Sequence, residues 1–215
     1  MFKIDIWSDY ACPYCYIGKI QLKQALSEMG ITDYAIHHHV YLLDPGKASH
    51  TERFLIDNFA KTPEERASVL EKFKEIEDMA AGVGLSYHMT EILDVPTEDA
   101  HRLTLWAESA FGDKVAEKLN DRLYRAYFVD GDDVSSHEFL LSCAAEVGLD
   151  TEEARRVLSD QNAYRDRMIE DFALADEKEI DLVPHYVFND TVEIMGIMNV
   201  PFIKRNISET LQAGK

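Results

Sequence analysis

The chain has 215 residues, 46% of them hydrophobic, enough to bury a sizeable core in one domain with an insertion or in two small domains. Its 22 Lys and Arg stand against 40 Asp and Glu, and the formal net charge of −18 repels polynucleotides and anionic lipid, so neither nucleic acid nor a membrane is an expected partner. No apolar run approaches the roughly 18 residues that span a bilayer.

The opening residues, "MFKIDIWSDY", lack the basic start, apolar stretch and small-residue cleavage site of a secretory signal, and the expected compartment is the cytoplasm. A permanent disulfide is disfavoured there, so a close cysteine pair points to catalysis or metal binding. "FKIDIW" alternates apolar and polar residues and predicts a strand over 2–7. "CPYCYIGKIQLKQALSEMG" follows, a helix with Pro13 in its first turn and Gly30 as its stop. "YAIHHHVYLLDP", residues 34–45, predicts a second strand ending at Asp44-Pro45.

From about residue 50 to 180 the chain is rich in Glu, Lys, Arg, Ala and Leu. Within it, Val69, Leu70, Phe73, Ile76 and Ala80 share a helical face behind a Thr62 cap with Glu65 three residues on. "PTEDAHRLTLWAESAF" and "SSHEFLLSCAAEVGLD" read the same way, giving a block of about four or five helices by pattern. After an acidic helix near 163–180, "HYVFND" and "TVEIMG" flank a hairpin turn at Asn189-Asp190, and "NVPFIKRNISETLQA" closes the chain as a helix. The order β-α-β, helices, β-β-α predicts an α/β protein, a thioredoxin-like fold with an inserted all-helical domain. Residues 1–48 and 163–215 would form the discontinuous thioredoxin-like domain and 49–162 the insert.

Cys12 and Cys15 lie three apart at a helix start, on one face and within disulfide reach. Helix N-terminal N–H groups favour the thiolate of Cys12, which makes it the expected nucleophile and Cys15 the resolving thiol. Three other readings stand beside this one. A zinc half-site needs two more ligands, and only Cys143 and scattered histidines remain. Two free cysteines also pack as small hydrophobes, and a redox motif can persist in a scaffold that does something else. His37, His38 and His39 alternate along a strand and cannot converge on one ion, so no metal is predicted.

Residues 8–20, "SDYACPYCYIGKI", resemble the active-site segment of the DsbA-like thioredoxin family, especially its FrnE-type subgroup. "EDAHRLTLWAESAFG", "RLYRAYFVDGDDVSSHEFLLSCAAEVGLD" and "LVPHYVFND" resemble further stretches of that subgroup, in order along the chain. The resemblance implies that Pro184 is a cis-proline facing the cysteines and exposes the Val183 backbone to an extended substrate. Pro13 and Tyr14, between the two sulfurs, complete the expected substrate-facing surface.

His185 stands where the subgroup has an apolar aromatic. Its ring could reach the site and favour the Cys12 thiolate, or point away by strand alternation. Of the subgroup's Gly-Ala-Gln turn, only Gly196 is present in "MGIMNVP". His101 and Arg102 match a His-Arg pair of the family; they could meet a substrate carboxylate or buttress helix packing. Cys143 reads as a buried core thiol, and Trp7 and Trp106 as core. Asp9 is a negative charge that opposes thiolate formation unless it points away.

The expected function is cytosolic thiol–disulfide exchange of the reductase or isomerase type on protein or peptide thiols. No cofactor is expected to bind tightly, and glutathione is a possible redox co-substrate. One alternative is a glutathione-dependent isomerase or transferase of small aromatic substrates, resembling the hydroxychromene-carboxylate isomerase and kappa-class branch. Another is a non-enzymatic, chaperone-like binding protein.

Overall fold

The alternation over Phe2–Ser8 forms β1 in the computed structural model, which describes residues 1–47 and 54–213. Helix α1, Pro13–Glu28, starts directly after a short turn, with Pro13 in its first turn, where a missing N–H costs nothing. It ends as expected before Gly30, whose φ of 67° is readily adopted only without a side chain. Strand β2, Tyr34–Val40, lies parallel to β1 in a register that pairs Ser8 with Val40. β2 was expected to run to residue 45; it stops at Val40 because its partner strand ends at Ser8 and turns away toward the cysteines.

Residues Asp44–Tyr164 make one compact unit. Its described residues hold α2 (Ile56–Phe59), α3 (Pro63–Ala81), α4 (Glu98–Phe111), α5 (Asp113–Arg125), α6 (His137–Glu146) and α7 (Thr151–Ser159). α3 starts with the reciprocal Thr62 and Glu65 capping bonds. Phe73, Ile76 and Ala80 of its predicted face are buried, whereas Leu70 is exposed. α5 runs on into a π-helical turn at Ala126–Asp130, against which Tyr87 stacks on Phe128 with ring centres 4.8 Å apart. Ser136 and Asp150 cap α6 and α7 through their side chains.

The second unit comprises Met1–Leu43 and Arg165–Lys215. The expected domain boundary at 48/49 lies outside the described residues. After α8, Arg165–Glu177, come β3 (His185–Phe188), β4 (Val192–Met195) and α9 (Val200–Ala213). Asn189 and Asp190 both have positive φ, 46° and 57°, and Thr191 N–H bonds Phe188 C=O, the primed turn that suits a hairpin. The mixed sheet has the order β2-β1-β3-β4, with β3 antiparallel to both neighbours.

Each face of this sheet takes alternate residues. Phe2, Ile4, Ile6, Ile36, Tyr186, Phe188 and Ile194 pack with Leu22, Ala25 and Leu26 of α1 and Ile203 and Ile207 of α9 in one core cluster. The other face carries Asp5, Trp7, His39 and His185, and Asp171 of α8 bonds to it. This division decides which residues can reach the cysteines.

Candidate active site

Cys12 is the N-cap residue of α1, with extended backbone angles, and Cys15 is one turn on. Two successive turns set them: Cys12 N–H donates to Asp9 C=O at 3.0 Å, and Cys15 N–H to Cys12 C=O at 3.1 Å. Both thiols are free and buried, 3% and 2% exposed. The Cys12 thiol lies 3.7 Å from the Val183 carbonyl and donates to it. Val183 precedes Pro184 across a cis peptide bond, and both are buried. Residues 171 positions apart in sequence therefore meet at the start of α1.

The two sulfurs differ electrostatically. Burial pushes the Cys15 thiol well above the usual range, and its neighbour Cys12 adds to this. Asp9 acts on Cys15 in two senses, its backbone hydrogen bond favouring the thiolate and its charge opposing it. At neutral pH Cys15 is a thiol.

Pro13 and Tyr14, between the cysteines, are half-buried. His185 does not join the site: β3 pairs it with Trp7, on the sheet face opposite the one that carries Tyr186. Its ring meets Trp7 edge-on at 5.9 Å, with Nε2 3.7 Å from Glu193 Oε2. Burial lowers its pKa, so at neutral pH the imidazole carries no charge for a thiolate.

Arg102 is 1% exposed and its guanidinium is spent inside its own unit. It donates to the carbonyls of Asp160 at 2.7 Å, Val157 at 2.9 Å, Ala163 at 3.2 Å and Leu158 at 3.3 Å, and pairs with Asp99 at 2.7 Å. That tie holds the end of α7 and the chain after it to α4. His101 is also buried. Cys143 is fully buried, and burial pushes its thiol up to about 11.

Two residues at the site carry no obvious motif. A Cβ built on Gly18 would overlap the Tyr186 hydroxyl and come within 3.2 Å of Pro184 Cγ. Gly18 is one turn beyond Cys15, so its missing side chain is what lets α1 lie against the Pro184 strand. Tyr186 is 3% exposed and its hydroxyl has no hydrogen-bond partner among the described residues; burial, then Cys15 and Cys12, hold the phenol well above its usual range. The alternation that turns His185 away is the signal that points Tyr186 in.

The family model of the DSBA-like thioredoxin domain matches residues 3–208. The chain belongs to that family. A probable DsbA oxidoreductase of Streptomyces coelicolor superposes with a TM-score of 0.90 at 28% identity, covering 99% of this chain and 91% of that one. A 2-hydroxychromene-2-carboxylate isomerase superposes at 0.71 and 15% identity over 99% and 97%. The cytosolic disulfide reductase DsbM of Pseudomonas aeruginosa, solved with GSH, does so at 0.62 and 16% over 99% and 97%. The 15% and 16% identities establish a shared fold alone, and within such a fold the activity lies in the site.

Proposed function

We propose that this DsbA-like chain is a thiol–disulfide oxidoreductase of protein or peptide thiols, working in the reducing or isomerising direction in the cytoplasm. The observation that carries the reading is the pair itself: Cys12 capping a helix beside the Val183 carbonyl, with Cys15 one turn behind it and held as a thiol.

The Cys12 thiolate attacks one sulfur of a substrate disulfide; a Cys12–substrate bond forms, the substrate S–S bond breaks, and the other substrate sulfur leaves and takes a proton from water. Cys15 then gives up its proton and attacks the Cys12 sulfur. The Cys12–Cys15 disulfide forms, the second substrate sulfur leaves as thiolate, and two electrons have passed to the substrate. Two molecules of glutathione restore the dithiol and leave as glutathione disulfide. Val183 and Pro184, with Pro13 and Tyr14, are the surface along which an extended substrate segment would lie. The glutathione solved with DsbM supports the choice of co-substrate.

The test is to trap the first intermediate. With Cys15→Ser, exposure to glutathione disulfide should leave one glutathione on Cys12, found by peptide mass spectrometry. No adduct on Cys12 would overturn the exchange reading and move attention to glutathione-dependent isomerisation of small aromatic substrates.

A further inference from the structure

Beside the cysteines a buried hydroxyl stands without a hydrogen-bond partner among the described residues, that of Tyr186, 3% exposed. Gly18 makes room for it: a Cβ there would overlap the Tyr186 oxygen and lie 3.2 Å from Pro184 Cγ. Phenylalanine would fill the same slot without stranding an oxygen, and an unpaired buried hydroxyl destabilises a fold. Packing thus accounts for the ring and not for the O–H.

Cys15 is where negative charge has to develop during exchange. Residues 15 and 18 are three apart on α1, with Cβ atoms about 5–6 Å from each other, so the hydroxyl beside Gly18 lies about one turn from the Cys15 side chain. Cys12, at the N-cap, is a turn farther off. In the resting dithiol the Cys15 sulfur is hydrogen-bonded by the Cys12 side chain and the Asp9 backbone, and Tyr186 is idle. In the mixed disulfide the Cys12 sulfur is neutral and bound to substrate, while Cys15 must become a thiolate out of reach of water. A donor that is idle at rest and engaged as charge appears lowers a barrier without stabilising the resting state.

We infer that the Tyr186 O–H donates a hydrogen bond to the Cys15 sulfur as it becomes a thiolate, directly or through one water, and so speeds resolution of the mixed disulfide. The inference rests on the exchange chemistry proposed above and concerns its second step. There the Cys15 proton leaves to solvent and the Cys15–Cys12 bond forms. The bond from Cys12 to the substrate sulfur breaks, and that sulfur departs as a thiolate that takes a proton from solvent. Tyr186 keeps its own proton throughout, as suits a phenol held well above its usual range by burial, then by Cys15 and Cys12. The reverse step, in which a glutathione thiolate attacks Cys12 and Cys15 leaves, uses the same bond. Tyr186 therefore changes both rates and not the balance between dithiol and disulfide.

The experiment mixes reduced, full-length wild type and Tyr186→Phe with excess glutathione disulfide, quenches with acid at intervals, and counts protein carrying one glutathione by mass spectrometry. In Tyr186→Phe the adduct should accumulate, and its conversion to the Cys12–Cys15 disulfide should slow by about three- to twentyfold. That is about half, on a logarithmic scale, of a hydrogen bond to a charged group, because a thiolate of lower pKa is also a weaker nucleophile. In a Cys15→Ser background, Tyr and Phe at position 186 should give the same rate of adduct formation on Cys12. Tyr186→Met, which fills the slot without an oxygen, stands in if the Phe variant does not fold. Resolution at the wild-type rate, or slowed no more than adduct formation, overturns the inference and leaves the exchange reading standing. No adduct on Cys12 in the Cys15→Ser protein takes both down.

Discussion

The hydroxyl of Tyr186 fills the space that a Cβ on Gly18 would need. The start of α1 and the strand after Pro184 approach each other only because residue 18 has no side chain. Gly18→Ala should lower stability by about 1–3 kcal/mol, the usual range for overpacking, and slow exchange by displacing Pro184 from Cys12. Tyr186→Phe removes the obstructing oxygen, so the double variant should recover part of the loss. The check is a double-mutant cycle in urea; strict additivity would mean that the two residues do not share this space.

His39 makes the fold's stability depend on pH. Its ring stacks on Trp7 at 4.2 Å, with Nδ1 2.7 Å from Asp171 and Nε2 2.9 Å from Asp5. Both bonds are donated only by the doubly protonated ring. Burial lowers its pKa, but the bonds to Asp171 and Asp5 outweigh this and the net shift is upward from 6.5. A pKa raised on folding contributes stability that is complete below the unfolded value and is lost as pH rises through the folded one. The urea midpoint should therefore fall from near pH 6.5 upward. His39→Gln should lower the unfolding free energy by about 1–3 kcal/mol at pH 6 and flatten that alkaline decline. A parallel pH profile in the variant would rule His39 out as its source.

How far the sequence carried is clearest at particular residues. Thr62 with Glu65, Pro13 with Gly30, and Asn189-Asp190 are local signals, and the structure places α3, α1 and the β3–β4 hairpin on them. The site was legible where chemistry is written as spacing, at Cys12 and Cys15. It was not legible where it depends on register. Which side of β3 meets α1 is set by Trp7 pairing with His185 and Ile6 with Tyr186, a contact between strands almost the whole chain apart. Gly18 has no motif either, since its role is the absence of atoms opposite Tyr186. The π-helical turn at Ala126–Asp130 is a change of backbone bonding with no local marker before Gly131.

Arg102 tests the difference between binding and architecture. Its guanidinium donates to four carbonyls after or within α7, of which that of Leu158 is buried and the others part-buried, so Arg102→Met strands one acceptor at about 1–3 kcal/mol and three more at a smaller cost. The expected outcome is a large drop in thermal midpoint, with KM for a peptide disulfide unchanged in the folded fraction. A wild-type midpoint with a raised KM would instead make Arg102 a substrate contact.

Cys143 should stay silent in thiol chemistry. Fully buried and with its thiol pushed up to about 11, it should resist alkylation in the folded protein at neutral pH. Labelling before and after denaturation reads this directly, and rapid modification of Cys143 in the native state would contradict its buried placement.

The central claim is that Cys12 and Cys15 are a working redox pair. Its most direct test is glutathione-coupled turnover of a disulfide-containing peptide by wild type, Cys12→Ser and Cys143→Ser. Turnover should be abolished in Cys12→Ser and retained in Cys143→Ser. Turnover absent from wild type, or undiminished in Cys12→Ser, would contradict it.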